Sequence, residues 1–219
     1  MACASYSCTP VRYSDARMRS PLIPFLIAAA VTVLVGVGVR MEPYFAGDVR
    51  VTRAVQQVTP APATWATPVS RLAPAPGKYY VMAIALVAAF FVAGWRGLAI
   101  VGSFLALEQY GAEHTKEIFN RARPSPDLVT VVGTPRGLSF PSTTITFFAV
   151  TIGAVGLLAL MRRKAPYRWP VVVVCFGFLL VGCAARVAVG AHWPSDVVLT
   201  ALICLVWIWA ASRVVLSRG

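Results

Sequence analysis

Six apolar segments dominate the chain: residues 21–39, 79–94, 98–119, 140–161, 169–189 and 193–211. Their lengths bracket the ~20 residues that an α-helix needs to cross the hydrocarbon core of a bilayer. In lipid a backbone must satisfy its own N–H and C=O groups, and a helix does so within a single segment. Of the 219 residues, 58% are hydrophobic and only 13% charged, and the mean hydropathy is +0.72. A soluble domain is about half apolar and about a quarter charged, so one water-soluble core cannot hide this much apolar surface. The predicted fold class is all-α, a bundle of six transmembrane helices.

The segments differ in quality. Residues 21–39 are long for the apolar core of a signal peptide, and no small-residue cleavage site follows them, so a retained helix is expected. Residues 98–119 are the weakest span. Glu108, Glu113, His114, Lys116 and Glu117 crowd their second half, so this helix cannot face lipid throughout. Glu108 and Glu113 read as partners for nearby basic residues, and His114 as a cap on the polar end of the span. Between the first two spans, residues 40–78 form a polar, proline-rich connection. A short interfacial helix is expected at 48–58, where Val49, Val51, Val55 and Val58 form a loose stripe. Pro60, Pro62, Pro68, Pro74 and Pro76 then predict an irregular loop.

This pattern gives a cytoplasmic N-terminal segment at residues 1–20, a single membrane domain at 21–212 and a cytoplasmic tail at 213–219. An even number of spans puts both termini on one side. Arg162, Arg163, Lys164 and Arg168 in a short loop, with Arg12, Arg17, Arg19, Arg213 and Arg218, mark that side as cytoplasmic. The net charge of +12 follows mostly from Lys and Arg flanking apolar runs, where they meet anionic headgroups. It does not point to nucleic acid, for which no motif is present. Cys3, Cys8, Cys175, Cys183 and Cys204 have no metal-ligand or disulfide spacing and read as free thiols. No metal or cofactor is expected.

The topology brings three pieces of chain to the extracytoplasmic face: the end of the third span through the start of the fourth, the end of the fifth, and the start of the sixth. Lys116, Arg123, Ser142, Arg186, His192 and Asp196 all lie there. An unpaired cation at mid-depth in a bilayer costs about 2.5–3.5 kcal/mol, and less near the interface, so an anionic partner is expected for Arg186. Taken alone, Lys116, Arg121 and Arg123 would read as interfacial anchors, His192 and Asp196 as a helix start, and Thr146 as part of another.

The spacing changes that reading. Residues 116–124 read KEIFNRARP, residues 140–144 read FPSTT, and residues 186–196 read RVAVGAHWPSD. The first and last resemble motifs of the type 2 phosphatidic acid phosphatase (PAP2) superfamily: Lys, six residues, Arg-Pro; and Arg, five residues, His, three residues, Asp. The middle one stands where that family has Pro-Ser-Gly-His. The resemblance implies a metal-independent membrane phosphatase in which His192 attacks phosphorus and forms a phosphohistidine. Asp196 would orient the imidazole, as the acid does in a catalytic triad.

The residues themselves support a phosphate site. Phosphoryl transfer is catalysed mostly by positioning and electrostatics. Lys116, Arg123 and Arg186 can hold the anionic oxygens, the arginines as bidentate forks. With Pro141 in the first turn of the fourth span, the backbone N–H groups of Ser142 and Thr143 would face the anion, and the Ser142 hydroxyl can donate too. Arg121 and Thr144 complete the candidates.

Two residues depart from the family pattern: Ala185 for a Ser before the last motif, and Thr144 for the histidine that protonates the leaving group. Losing a general acid costs about 10²–10⁴-fold. The expected substrate is a lipid phosphate or polyprenyl diphosphate, cleaved at the outer face of the cell membrane. The alternatives are a weak or inactive relative that binds anionic lipid headgroups, and a lipid phosphotransferase.

Overall fold

The computed structural model describes residues 20–111 and 114–217, and among them every regular element is helical. Helix α1 spans Leu22–Met41. On the site side of the bundle α2 (Asp48–Val58) and α3 (Pro62–Ser70) follow, then α4 (Gly77–Gly111) and α5 (His114–Phe119). The fourth apolar span, Thr143–Met161, consists of α6 (Thr143–Phe148), a π-helical turn (Ala149–Gly153) and α7 (Ala154–Met161). Helices α8 (Arg168–Ala188) and α9 (Pro194–Ser217) complete the fold.

Among the described residues five segments are long and apolar enough to cross a membrane, and one of them, α4, has 35 residues. That helix is two arms, not a rod. Gly94 has φ +65 and ψ −159, a backbone conformation that glycine adopts readily and other residues rarely. The chain folds back there. A Cβ on Gly97 would lie 2.4 Å from the Ala89 carbonyl oxygen, and Lys78 Nζ sits 3.4 Å from Glu108 Oε2. In a straight helix, 1.5 Å of rise per residue would hold those two residues about 45 Å apart. The two arms of the hairpin correspond to the expected second and third spans. The Lys78 contact also gives Glu108 its expected basic partner.

Small residues let the spans approach closely, as membrane helices favour. A Cβ on Gly182 of α8 would meet the Phe148 ring at 2.7 Å, and one on Gly156 would meet Cys175 Cβ at 2.8 Å. Helix α1 packs along α9, with Trp207 Nε1 donating to Thr32 Oγ1 at 2.9 Å.

The first loop departs from expectation. Helix α2 covers the predicted residues, but its buried face carries Asp48 and Thr52, whereas Val51 and Val58 are exposed. The stretch expected to be irregular contains α3. Pro62 opens that helix, where a missing N–H costs nothing, and Pro68 lies only two residues from its end. Ala66 is sealed against Ala185 and Ala188 of α8, so small-residue packing outweighs the proline. At the other site-side helix start, Pro141 precedes Ser142, the N-cap of α6, and so lies outside the helix that it was expected to open. His114 Nδ1 lies 3.1 Å from the Tyr110 carbonyl, in line with a role at the polar end of its span. Glu113, Cys3, Cys8, the N-terminal arginines and Arg218 lie outside the described residues.

Candidate active site

The proposed site residues occupy one end of the bundle. Lys116 is on α5, Arg121 and Arg123 are on the following loop, and Ser142 caps α6. Arg186 is in the last turn of α8, His192 is on the five-residue link to α9, and Asp196 is in the first turn of α9. Backbone contacts tie these segments together. Val132 N–H donates to the Val189 carbonyl at 2.9 Å, and Ser139 N–H donates to the Arg121 carbonyl at 2.8 Å. Gly190, with φ +66, lets the link pass the neighbouring loop, since a Cβ there would be 2.2 Å from the Thr130 carbonyl oxygen.

His192 is 1% exposed, not in open solvent. Arg123 Nη1 lies 3.3 Å from its Nε2. A guanidinium can only donate, so Nε2 is the acceptor and holds the lone pair that a nucleophile needs, while Nδ1 carries the proton. Burial pushes the imidazole well below its usual pKa; Arg186, Arg123 and Lys116 deepen the drop, and a Ser139 backbone contact opposes it only in part. The ring is therefore neutral at physiological pH.

The expected His192–Asp196 hydrogen bond is not made: Nδ1 and Oδ2 are 4.0 Å apart. Other groups occupy the carboxylate. Its Oδ2 accepts the Ser139 hydroxyl at 2.5 Å and the Trp193 N–H at 2.9 Å, and its Oδ1 accepts Arg121 Nη1 at 2.5 Å. Asp196 thus holds the link that carries His192.

Arg121 is a structural hub. It also donates through Nη2 to Asp48 Oδ2 at 3.2 Å and through Nη1 to Ser195 Oγ at 2.9 Å. Asp48 in turn accepts the Ser195 N–H at 2.9 Å and the Ser195 hydroxyl at 2.6 Å. The sequence reading missed Asp48, Ser139 and Ser195. Asp48 was the one signal available: a carboxylate on the face of a short helix whose valines do not form a clean stripe.

Arg123 reaches several acceptors. Its Nε donates to the Arg136 and Gly137 carbonyls at 3.1 and 3.0 Å, and its Nη1 to the Ala191 carbonyl at 2.6 Å and to His192. Lys116 is buried, 7% exposed. The Ser142 N–H donates to Thr200 Oγ1 at 3.1 Å, so it does not face the anion as expected; the Thr200 hydroxyl on α9 reaches it first. The Ser142 hydroxyl is buried with no hydrogen-bond partner, and so is Arg186 Nε. Arg186, Thr143 and Thr144 line one cavity of about 630 Å³, within the usual size of a small-molecule site. Thr146 donates to the Ser142 carbonyl at 3.1 Å, the expected behaviour of a hydroxyl in a polar helix start. Among the described residues, no three His, Cys, Asp or Glu side chains cluster as metal ligands would.

No curated protein sequence matches the chain. Its fold is similar to that of a transmembrane PAP2 type phosphatidylglycerolphosphate phosphatase from Bacillus subtilis, with a TM-score of 0.61 and 17% identity, covering 90% of this chain and 96% of that one. The model of the PAP2 superfamily matches residues 97–219. That stretch is more than half of the chain and contains Lys116, Arg123, Arg186, His192 and Asp196; the protein belongs to the PAP2 superfamily.

Proposed function

We propose that the protein is a metal-independent phosphatase of the cell membrane that cleaves a lipid phosphate or polyprenyl diphosphate at the extracytoplasmic face through a phosphohistidine on His192. Membership of the PAP2 superfamily supports a membrane lipid phosphatase in general terms. One observation carries the finer reading. Arg123 holds the lone pair of a buried, neutral His192, while the unpartnered Nε of Arg186 belongs to the adjoining cavity wall.

In this reading the anionic phosphoryl group draws the Arg123 fork away from Nε2 and onto its own oxygens, and the freed lone pair attacks phosphorus. Lys116, Arg123 and Arg186 hold the equatorial oxygens as charge develops. Ser142 and Thr143 supply hydroxyl contacts. A second, apolar cavity of about 330 Å³ has room for part of a lipid chain. Phe104, Leu107, Phe119 and Trp207 line it, and it shares Glu108 with the first. Arg96, Arg162, Arg163, Lys164 and Arg168 lie at the opposite end of the bundle, beside the Gly94 turn and the α7–α8 loop. They support a cytoplasmic assignment for that end and an extracytoplasmic one for the site.

The test is phosphate release by the purified protein from a panel of lipid phosphates and diphosphates, with vanadate and with EDTA. Release that vanadate blocks and EDTA leaves intact is the expected result, and loss on chelation overturns the metal-free reading. Thr144 on the cavity wall favours a second reading, a weak or inactive member that binds anionic headgroups. Headgroup binding without turnover of any substrate would establish it. Transfer of phosphate to an acceptor other than water would show in the same assay as substrate loss exceeding phosphate release.

A further inference from the structure

The cavity walled by Arg186, Thr143, Thr144 and Ala191, the residue before His192 in the chain, reaches beyond the residues that a single phosphate needs. Its lining includes Arg71, just past α3, and Lys78, in the first turn of α4. Both lie outside the stretch that matches the superfamily. With Arg186 they place three cations around one space, against the single carboxylate of Glu108. That carboxylate is committed: its Oε2 is 3.4 Å from Lys78 Nζ and accepts Gln109 Nε2 at 2.7 Å. The pair fixes the Lys78 ammonium on the cavity wall, and an ammonium has three donors. The Ser70 hydroxyl, also in the lining, is buried with no hydrogen-bond partner, as is Arg186 Nε. Buried donors are normally satisfied, and two orphans around one cationic cavity call for an anion with oxygens at both.

We infer that Arg71, Lys78 and Ser70 form a second phosphate subsite, and that the substrate class is a lipid diphosphate with its terminal phosphate at His192 and its inner phosphate at this subsite. The inference rests on the phosphatase reading above for its chemistry, and on the cavity alone for its anion binding. In the first step the bond from His192 Nε2 to the terminal phosphorus forms. The bond from that phosphorus to the bridging oxygen breaks, and its electron pair stays on the oxygen. The lipid monophosphate leaves with its new charge facing Lys78 and Arg71. Water then bonds to the phosphorus as the P–N bond breaks, which releases inorganic phosphate and a proton and restores the imidazole. A cationic subsite for the leaving group offsets charge where Thr144 cannot supply a proton.

The experiment measures two things on the full-length protein in detergent. The first is the ratio of kcat/KM for a matched polyprenyl diphosphate and monophosphate, in the wild type, Arg71→Ala, Lys78→Gln and Lys78→Arg. The second is binding of inorganic diphosphate and of inorganic phosphate by calorimetry. The ratio should fall about tenfold in Arg71→Ala and Lys78→Gln, as the loss of one charge-assisted hydrogen bond predicts. Lys78→Arg should restore most of it. Inorganic diphosphate should bind more tightly than phosphate, with the difference lost in both neutral variants. A ratio that does not move in Arg71→Ala, an exposed and safely replaced side chain, or equal binding of the two anions, overturns the subsite. If the wild type cleaves neither lipid, the phosphatase reading fails by itself, and the calorimetry still decides the subsite.

Discussion

Arg121 Nη1 lies 2.5 Å from Asp196 Oδ1, with both side chains sealed from solvent. The same guanidinium reaches Asp48 on α2, so the first loop is keyed to the helix that follows His192. Removing one partner of a buried ion pair leaves an uncompensated charge and costs about 3–5 kcal/mol. Arg121→Met leaves two buried carboxylates without their shared cation and should lower the unfolding temperature sharply. Asp48→Asn keeps the shape and the acceptor oxygen and should cost less. Thermal unfolding in detergent, followed by tryptophan fluorescence, checks the order. An unchanged midpoint in Arg121→Met would show that the cluster is not closed as described.

The nucleophile is tested by His192→Gln, which keeps most of the buried volume. It should abolish phosphate release while the unfolding midpoint stays near that of the wild type. Acid-labile, base-stable phosphate trapped on the wild type and missing from the variant would identify the intermediate. Near-normal turnover in the variant ends the phosphohistidine reading.

The acid limb of kcat/KM reports the free enzyme. Because His192 is held well below its usual pKa by burial, then by Arg186 and Arg123, the limb should fall below the ordinary imidazole value of about 6.5. The sign follows from the proton count. Between the folded and unfolded pKa values the unfolded chain binds the extra proton, so this residue also makes stability rise with pH in that window. Arg186→Gln removes a cation that disfavours the imidazolium, and the limb should move toward neutrality. A limb that stays in place would mean that a different group controls it.

Gly190 offers a test of positioning without touching a reactive atom. An added methyl would meet the Thr130 carbonyl oxygen at 2.2 Å and sit at φ +66, so the link bearing His192 must shift. A displacement on the order of 1 Å can cost about 10²-fold in rate. Gly190→Ala should lose kcat on that scale. Gly133→Ala also has positive φ, but with nothing within 4 Å of the added carbon. It should show only the about 1–2 kcal/mol of left-handed strain. Equal kcat in the two variants would remove the positioning role.

Much of this was legible from hydropathy and spacing, for a physical reason. Lipid forces backbone hydrogen bonds inside each span, so apolar length reports helices directly. The order Lys116, Arg123, Arg186, His192, Asp196 along the chain survives in space because alternate span ends meet at one face. The break between the apolar runs 79–94 and 98–119 already placed the turn at Gly94, whereas the burial of Ala66 was not legible, since it depends on close backbone approach, which no periodicity records. The Asp48–Arg121–Asp196 cluster was hidden too. Its members are far apart in sequence, and Asp48 read as no more than the first residue of a surface helix. The Ser142 N–H was assigned to the anion because nothing in the sequence placed Thr200 beside it.

Thr144 yields the last prediction, and it concerns leaving groups. A lipid alkoxide has a conjugate acid with a pKa near ~16, close to that of water, and it needs a proton as it departs. The leaving group of a polyprenyl diphosphate is a phosphate monoester whose second pKa is about 6, so at neutral pH it departs without one. Thr144, on the cavity wall with Arg186 and Thr143, can donate a hydrogen bond but not a catalytic proton. Restoring an imidazole with Thr144→His should therefore raise monophosphate cleavage by up to about 10²-fold, the lower end of what a general acid supplies, and change diphosphate cleavage much less. The comparison is kcat/KM for matched polyprenyl mono- and diphosphates in both proteins. If the wild type cleaves the monophosphate as well as the diphosphate, the leaving-group account fails. If Thr144→His raises both equally, the imidazole acts on the phosphoryl group being transferred and not on the group that leaves.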